Sequence, residues 1–473
     1  MRYTTRVAVP VPAADLFRWH ARPGAFQRLS PPWQPVSLVS HEGIRDGDRA
    51  VIRLGVGPAG IDWVAEHVGY DDVCLTGDGP CQFEDRQVSG PFAAWHHVHR
   101  MLPDGDGSVL EDDVTYELPL APVTSLGAPI ARRQFDRMFA YRHRVTVEDL
   151  RRHADADVAP MTIAITGASG LVGTALGAFL QGGGHTVVRL VRRREDAVSQ
   201  GPQDEAVYWN VEAGEVDTDA LARLAPDAVV HLAGEPITSL DGSQSARRTI
   251  WESRSKGTRL IAQSLAALPV PPRVLVSASA SGAYGDRGDE VLTEDSPRGT
   301  GFLPGVCRAW ENATAPASAA GIRVVHARIG LVTTPSGGVL QPLAPLALLG
   351  LGGWPGDGTA WWPWIALDDV VYALHHIVLA AGLSGPVNLS APEPVTTKAF
   401  VKTLARVQRR PAVVSVPTPL VKLAGGELAR RVALTSVRMV PGRLLASGFR
   451  FAVPDLDTAL RHMLGRLDAH TLS

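Results

Sequence analysis

Cysteine is scarce in this 473-residue chain: Cys74, Cys81 and Cys307 are the only three, and no Cys-x-x-Cys occurs. They are too few and too scattered for a disulfide framework. The opening Met1-Arg2-Tyr3-Thr4-Thr5-Arg6 lacks the apolar core of a signal peptide, and no apolar run reaches transmembrane length. The expectation is a cytoplasmic protein without membrane insertion. A large charge of either sign is missing as well. The formal net charge of −2 gives no reason to expect nucleic acid or an anionic membrane as partner. Lysine is the last shortage. Only Lys256, Lys398, Lys402 and Lys422 stand among 46 basic residues, so no tyrosine has a lysine four places further on.

What is present is an ordinary globular composition, 45% apolar and 20% charged, on a chain long enough for two or three domains. The most informative stretch runs from Thr162 to Gly173: a β-rich apolar run, a loop with glycines at 167, 170 and 173, then a helical pattern. It sits a third of the way along, which implies a separate domain ahead of it. Residues 1–153 read as an α+β unit. Strand-like runs at Thr5–Val9, Ala50–Leu54, Ile61–Val68, Cys81–Val88, Ala94–Met101 and Val109–Leu118 precede one helix over Ile130–Leu150. A sheet curled round such a helix leaves room for an apolar cavity. Residues 154–160, Ala-Asp-Ala-Asp-Val-Ala-Pro, read as a linker. From residue 161 to 473 strands and helices alternate, which predicts an α/β Rossmann-type, doubly wound parallel sheet. A looser, Gly-, Pro- and Trp-rich covering region follows from about residue 330.

The glycine loop predicts a dinucleotide site. Gly167, Ser169, Gly170, Leu171, Val172 and Gly173 would bring backbone N–H groups and a helix N-terminus to the pyrophosphate. NAD binders usually place an acid at the end of the second strand; this chain has Arg192-Arg193-Arg194 there, with Glu195 and Asp196 a turn too late. A guanidinium suits a 2′-phosphate, so Arg192 favours NADP over NAD. Asn210 stands where an adenine contact forms, and Leu232, Ala233 and Gly234 form a small-residue turn that lets the cofactor pass close to the backbone.

Two resemblances add to this reading. Gln82–Phe92 before a Trp-containing strand resembles the START-like or polyketide-cyclase-like superfamily (SRPBCC), which implies a helix-grip domain with an apolar ligand. His231-Leu232-Ala233-Gly234-Glu235-Pro236, Glu252-Ser253-Arg254, Val276–Asp286, Trp310-Glu311, Arg328-Ile329-Gly330 and Trp364–Val370 together look like the atypical extended short-chain dehydrogenase/reductase group, the NAD(P)-dependent epimerase family. That resemblance implies NADP contacts near Arg192, Leu232, Ala233 and Arg254. It also implies an oxidoreductase or epimerase acting on a small molecule.

The chain departs from the reductase pattern at the Tyr-x-x-x-Lys pair, whose lysine lowers the tyrosine pKa. Leu303 and Cys307 stand in those positions. Ser279 and Tyr284 are the replacement catalytic candidates, though without a cationic neighbour Tyr284 would keep a pKa near 10. The missing pair keeps open an NADPH-binding sensor without turnover. A lipid-binding protein with a dehydrogenase-like scaffold is a third reading. Trp354, Trp361, Trp362 and Trp364 read as loop packing or a pocket wall. His97 and His99 share one strand face, but no third ligand is identifiable, so no metal site is assigned.

Overall fold

The computed structural model describes residues 1–55, 57, 60–119, 127–201, 203–235, 243–412, 414–416 and 434–467; Pro236, which ends one of the phrases above, lies outside them. The chain forms two compact units, Met1–Ala159 with Ala178–Gly184 and His462–Ser473, and Pro160–Gly177 with His185–Arg461.

The first unit is built on β1 (Arg2–Val9), β2 (Val36–His41), β3 (Arg49–Leu54), β4 (Ile61–Asp71), β5 (Cys81–Ser89), β6 (Ala94–Asp104) and β7 (Gly107–Glu117). They form one antiparallel sheet in the order β1-β7-β6-β5-β4-β3-β2. Each strand pairs with its successor in the chain except β1, which lies on β7 with Arg2 opposite Thr115. Helices α1 (Ala13–Ala21) and α2 (Ala25–Leu29) fill the β1–β2 connection, and the long α3 (Ala128–Ala156) follows β7. Phe135 and Phe139 of α3 pack with Tyr3, Trp95, Val114 and Tyr116. A second cluster gathers Leu16, Phe17, Trp19, Phe83, Met101 and Leu150. A cavity of about 460 Å³ opens in this unit, walled by Ile52, Trp63, Phe83, Trp95, Phe135 and Met138 among others.

One expectation needs correction here, and two features went unread. The supposed linker begins inside a helix: α3 continues through Ala156, which the alanines permit, and ends at Asp157 with φ +43°. Only 157–160 is left as connection. Strand β2 went unread because it is a mostly exposed edge without a clean alternation of apolar residues. Cys74 and Cys81 are joined in a disulfide between β4 and β5, a single local link that a spacing of seven permits but does not announce.

The second unit contains β8 (Thr162–Thr166), the start of α4 (Leu171–Gly182, which from Ala178 is counted with the first unit), β9 (Thr186–Val191), β10 (Asp204–Asn210), β11 (Glu215–Val216), α5 (Thr218–Leu224), β12 (Ala228–His231), α6 (Gln244–Ala266), β13 (Val274–Ala280), α7 (Phe302–Asn312), β14 (Arg323–Ile329) and β15 (Gly385–Leu389). The sheet order is β11-β10-β9-β8-β12-β13-β14-β15. All pairings are parallel except the β10–β11 edge. Ile163, Ile165, Val188, Val230, Leu275 and Val325 are fully buried, as strands covered on both faces require. The chain thus has a Rossmann-like fold, and the strand reversal on either side of β8 makes its carboxyl end the ligand crevice. The helical stretch after β13 is two pieces, α7 and a short helix at Ala315–Ala319, divided where Pro316 cannot continue the ladder. Strand β15 was missed because Gly385-Pro386 disguises its start. Among the described residues no helix is long and apolar enough to cross a membrane.

Candidate dinucleotide site

Three loops meet at the carboxyl ends of β8, β9 and β12. Gly167 leaves β8 with φ +70°, and a Cβ there would lie 3.0 Å from both Ala233 N and Leu232 C. Thr166 ties the first and third loops. Its backbone O accepts from Leu232 N at 3.1 Å, and its Oγ1 accepts from Ala233 N at 3.2 Å. Gly173, in the first turn of α4, has no room for a side chain, since a Cβ would stand 2.2 Å from the Gly167 carbonyl oxygen. Ser169 and Gly170 are exposed at the mouth of this turn, while Leu171 and Val172 are half-buried. The loop therefore offers free amides at a helix N-terminus, in a cradle that only glycine permits.

The basic residues in and after β9 divide by partner. Arg189 is committed to Asp204 at 2.5 Å, and Arg194 pairs with Glu215 at 2.9 Å while stacking on Tyr208. Arg192 is exposed and has no ion-pair partner among the described residues. Asn210 closes a turn by accepting from Glu212 N and Ala213 N at 2.9 and 3.1 Å, which leaves its Nδ2 group for a ligand.

Arg254 is more unusual. It is 7% exposed on α6, with its guanidinium 5.0 Å from the centre of the Trp310 ring. Its one hydrogen bond is a long one, 3.4 Å to Ile250 O, and no carboxylate lies within ion-pair distance among the described residues. Burial lowers its pKa. A Cβ on Gly234 would come within 3.4 Å of its Cζ, so this cation borders the small-residue turn after β12. Glu235 attracts it only from beyond ion-pair distance, and a buried positive group without a close counterion is costly unless an anion arrives to pair with it.

The two catalytic expectations lose their geometric basis. Ser279 Oγ donates to Glu311 Oε1 at 2.8 Å and is 3% exposed. Tyr284 is fully buried; its hydroxyl donates to Asn388 Oδ1 at 2.6 Å and accepts from Arg328 Nη1 at 3.0 Å. Arg328 also grips Glu311 with two nitrogens, at 2.9 and 3.1 Å, and Arg298 closes on the same carboxylate. The cation that the sequence did not supply for Tyr284 is Arg328. Burial nevertheless outweighs it and raises the phenol's pKa. Both residues belong to a buried network joining α7, β13, β14 and β15, and neither hydroxyl is free for a substrate. Cys307 lies beside them with its thiol pushed up to about 11, mainly by burial, and is inert.

The four tryptophans are packing groups. Trp354, Trp362 and Trp364 are buried, and Trp361 donates to Asp289 under the Arg438 guanidinium. Sequence reasoning also overlooked His231, buried between Thr166 Oγ1 at 2.7 Å and Thr258 Oγ1 at 2.9 Å behind the crevice. In the first unit, where the sequence showed no third group beside His97 and His99, the Asp85 carboxylate faces both. Only the strand register, with Asp85 opposite His97, could have revealed it.

Known proteins place the second unit more closely. Residues 163–389 match the model of the NAD dependent epimerase/dehydratase family, and residues 416–463 match a domain of unknown function, DUF1731. The crystal structure of a nucleoside-diphosphate sugar epimerase from Corynebacterium glutamicum is 35% identical. It covers 98% of this chain and 90% of its own, with a TM-score of 0.78. Human epimerase family protein SDR39U1, solved with NADPH, is 28% identical over 65% of this chain and all of its own, with a TM-score of 0.57. An epimerase family protein of Mycobacterium bovis, Mb2239, is 39% identical over 65% of this chain and 99% of its own length. The glycine cradle, the uncommitted arginines and these likenesses agree: the chain belongs to the NAD dependent epimerase/dehydratase family.

Proposed function

We propose that the second unit binds NADP in preference to NAD and acts as an oxidoreductase or epimerase on a small molecule. The single observation that carries this is the pair of uncommitted guanidinium groups, Arg192 exposed at the end of β9 and Arg254 buried without a carboxylate. Gly167, Ser169, Gly170, Leu171, Val172 and Gly173 would hold the pyrophosphate. Arg192 would hold the 2′-phosphate, and Asn210 the adenine side. Leu232, Ala233, Gly234 and Arg254 would border the part of the cofactor nearer the nicotinamide. When bound, the nicotinamide supplies a hydride donor or acceptor. NADPH in the solved human relative supports the choice.

The burial of Tyr284 favours a second reading, NADPH binding without turnover, because proton transfer has no exposed donor among the expected residues. For the first unit, residues 1–159, the reading is a START-like (SRPBCC) helix-grip domain with an apolar ligand in its 460 Å³ cavity.

The test is titration of NADPH and NADH into wild type and Arg192→Ala. A charge-assisted contact to a phosphate is worth about 1.5–3 kcal/mol, so NADPH should bind roughly 10- to 150-fold more weakly to the variant. NADH binding should not change. Equal binding of both nucleotides by both proteins would remove the NADP assignment. NADPH oxidation with any substrate would remove the reading without turnover.

A further inference from the structure

The cavity of the first unit carries an ionisable wall that dinucleotide binding in the second unit leaves unused. Cross-strand register builds it. Asp85 on β5 stands opposite His97 on β6, and His99 stands opposite Asp112 on β7, so all four side chains share one face. Asp85 Oδ1 accepts from Trp95 Nε1 at 2.9 Å, which aims Oδ2 at the histidines. That oxygen lies 3.3 Å from His97 Nδ1 and 3.6 Å from His99 Nε2.

Asp112 holds the far sides of the rings. His97 Nε2 bonds its Oδ1 at 3.0 Å, and His99 Nδ1 lies 2.8 Å from the same oxygen, off the line of a hydrogen bond. Its Oδ2 meets His143 Nε2 at 2.8 Å. A carboxylate behind paired imidazoles is the outer arrangement that orients metal-binding histidines. The inner atoms, one oxygen and two nitrogens, lie within 4.8 Å of one another. Ligands at about 2.0–2.2 Å from one ion stand roughly 3.0–3.5 Å apart, close to the 3.3 and 3.6 Å that separate the Asp85 oxygen from the two nitrogens. Asp85, His97 and His99 all line the cavity, so further coordination positions would open into it. His67 lines it too. It is 6% exposed, and its Nε2 has no partner among the described residues.

We propose that Asp85, His97 and His99 bind one divalent first-row transition ion, with Asp112 as the outer carboxylate that fixes the His97 ring by a hydrogen bond and faces His99 as a neighbouring charge. Two imidazoles and a carboxylate suit zinc, iron(II), cobalt or nickel, whereas calcium and magnesium prefer oxygen alone. A small molecule or water would complete the coordination from the cavity side.

The test uses the full chain after chelator treatment. Zn²⁺ and Co²⁺ are titrated by calorimetry, and Co²⁺ is also followed by its visible absorption. One ion per chain is expected. Asp85→Asn and His99→Gln should each weaken binding at least about 100-fold, beyond the usual loss for an outer-carboxylate change. His96→Gln, on the opposite face of β6, should bind as wild type does, and NADPH affinity should stay the same in all of them. No stoichiometric binding by wild type, or binding by Asp85→Asn and His99→Gln within threefold of it, overturns the proposal. Should either variant fail to fold by far-UV circular dichroism, X-ray absorption of the zinc-loaded wild type decides: two imidazoles at the ion support the site and none refutes it.

Discussion

Gly173 and Gly177 lie on the same helix one turn apart, yet alanine at the two should act with opposite sign. At 173 the new Cβ would sit 2.2 Å from Gly167 O, 2.8 Å from Ala168 Cα and 2.9 Å from Gly167 C. All three are backbone atoms of the phosphate loop, so no side chain can turn away to relieve the clash. Relief requires the loop and α4 to part by about 1 Å, and overpacking of that kind costs roughly 1–3 kcal/mol. Alanine's better helix propensity returns up to about 1 kcal/mol. A net loss of up to about 2 kcal/mol remains. The parted loop also carries its amides off the pyrophosphate, and NADPH should bind at least about tenfold more weakly, since each 1.4 kcal/mol is a factor of ten. At 177 the nearest atom is Val187 Cγ1 at 3.9 Å, an ordinary contact. Gly177→Ala should therefore keep NADPH affinity and gain roughly 0.5–1 kcal/mol. Urea unfolding followed by circular dichroism, with NADPH titration by fluorescence, reads both quantities. A Gly173→Ala protein as stable as wild type and with unchanged affinity would refute the cradle.

Three further outcomes are expected. Arg254→Met should weaken NADPH and NADH alike, by about tenfold or more, because Arg254 borders the turn after β12 rather than the turn carrying Arg192. The same change should leave apo stability equal or raised, since a buried charge without a counterion is removed; a loss above about 1 kcal/mol in urea would contradict that account. Tyr284→Phe should cost about 1–3 kcal/mol of stability by removing the partner of Asn388 Oδ1 and of Arg328 Nη1, with NADPH affinity unchanged; an unaltered urea midpoint would refute it. Burial lowers the His231 pKa from 6.5 to about 4. Between those values the unfolded chain takes a proton that the folded unit refuses, so stability held above pH 6.5 is lost as the pH falls towards 4, by up to roughly 3 kcal/mol. His231→Gln should flatten the slope of stability between pH 7 and 4.5, and an identical slope would exclude His231 as its source.

Local features were legible because their causes are local. The apolar run of β8, the spacing of Gly167, Gly170 and Gly173, and the alternation of strands and helices after them follow from neighbouring residues alone. They sufficed for a parallel sheet with a dinucleotide loop. The arginines in and after β9 were visible as a group, but not their allocation: Asp204 and Glu215, brought alongside by β10 and β11, take Arg189 and Arg194 and leave Arg192 and Arg193 exposed. Arg254 was reached through resemblance, whereas its burial on Trp310 without a carboxylate is a tertiary fact.

The sequence by itself determined which segments become most of the strands and helices, where the glycine loop falls between β8 and α4 and that the Tyr-x-x-x-Lys pair is missing. Tertiary structure alone decided what stands in that region. Arg328 and Asn388 arrive from β14 and β15, far along the chain, and turn Tyr284 from a candidate acid into a buried tie. It likewise set Asp85 against His97 and His99. Register between strands depends on which residues face each other across a sheet, and that information belongs to no single stretch of chain.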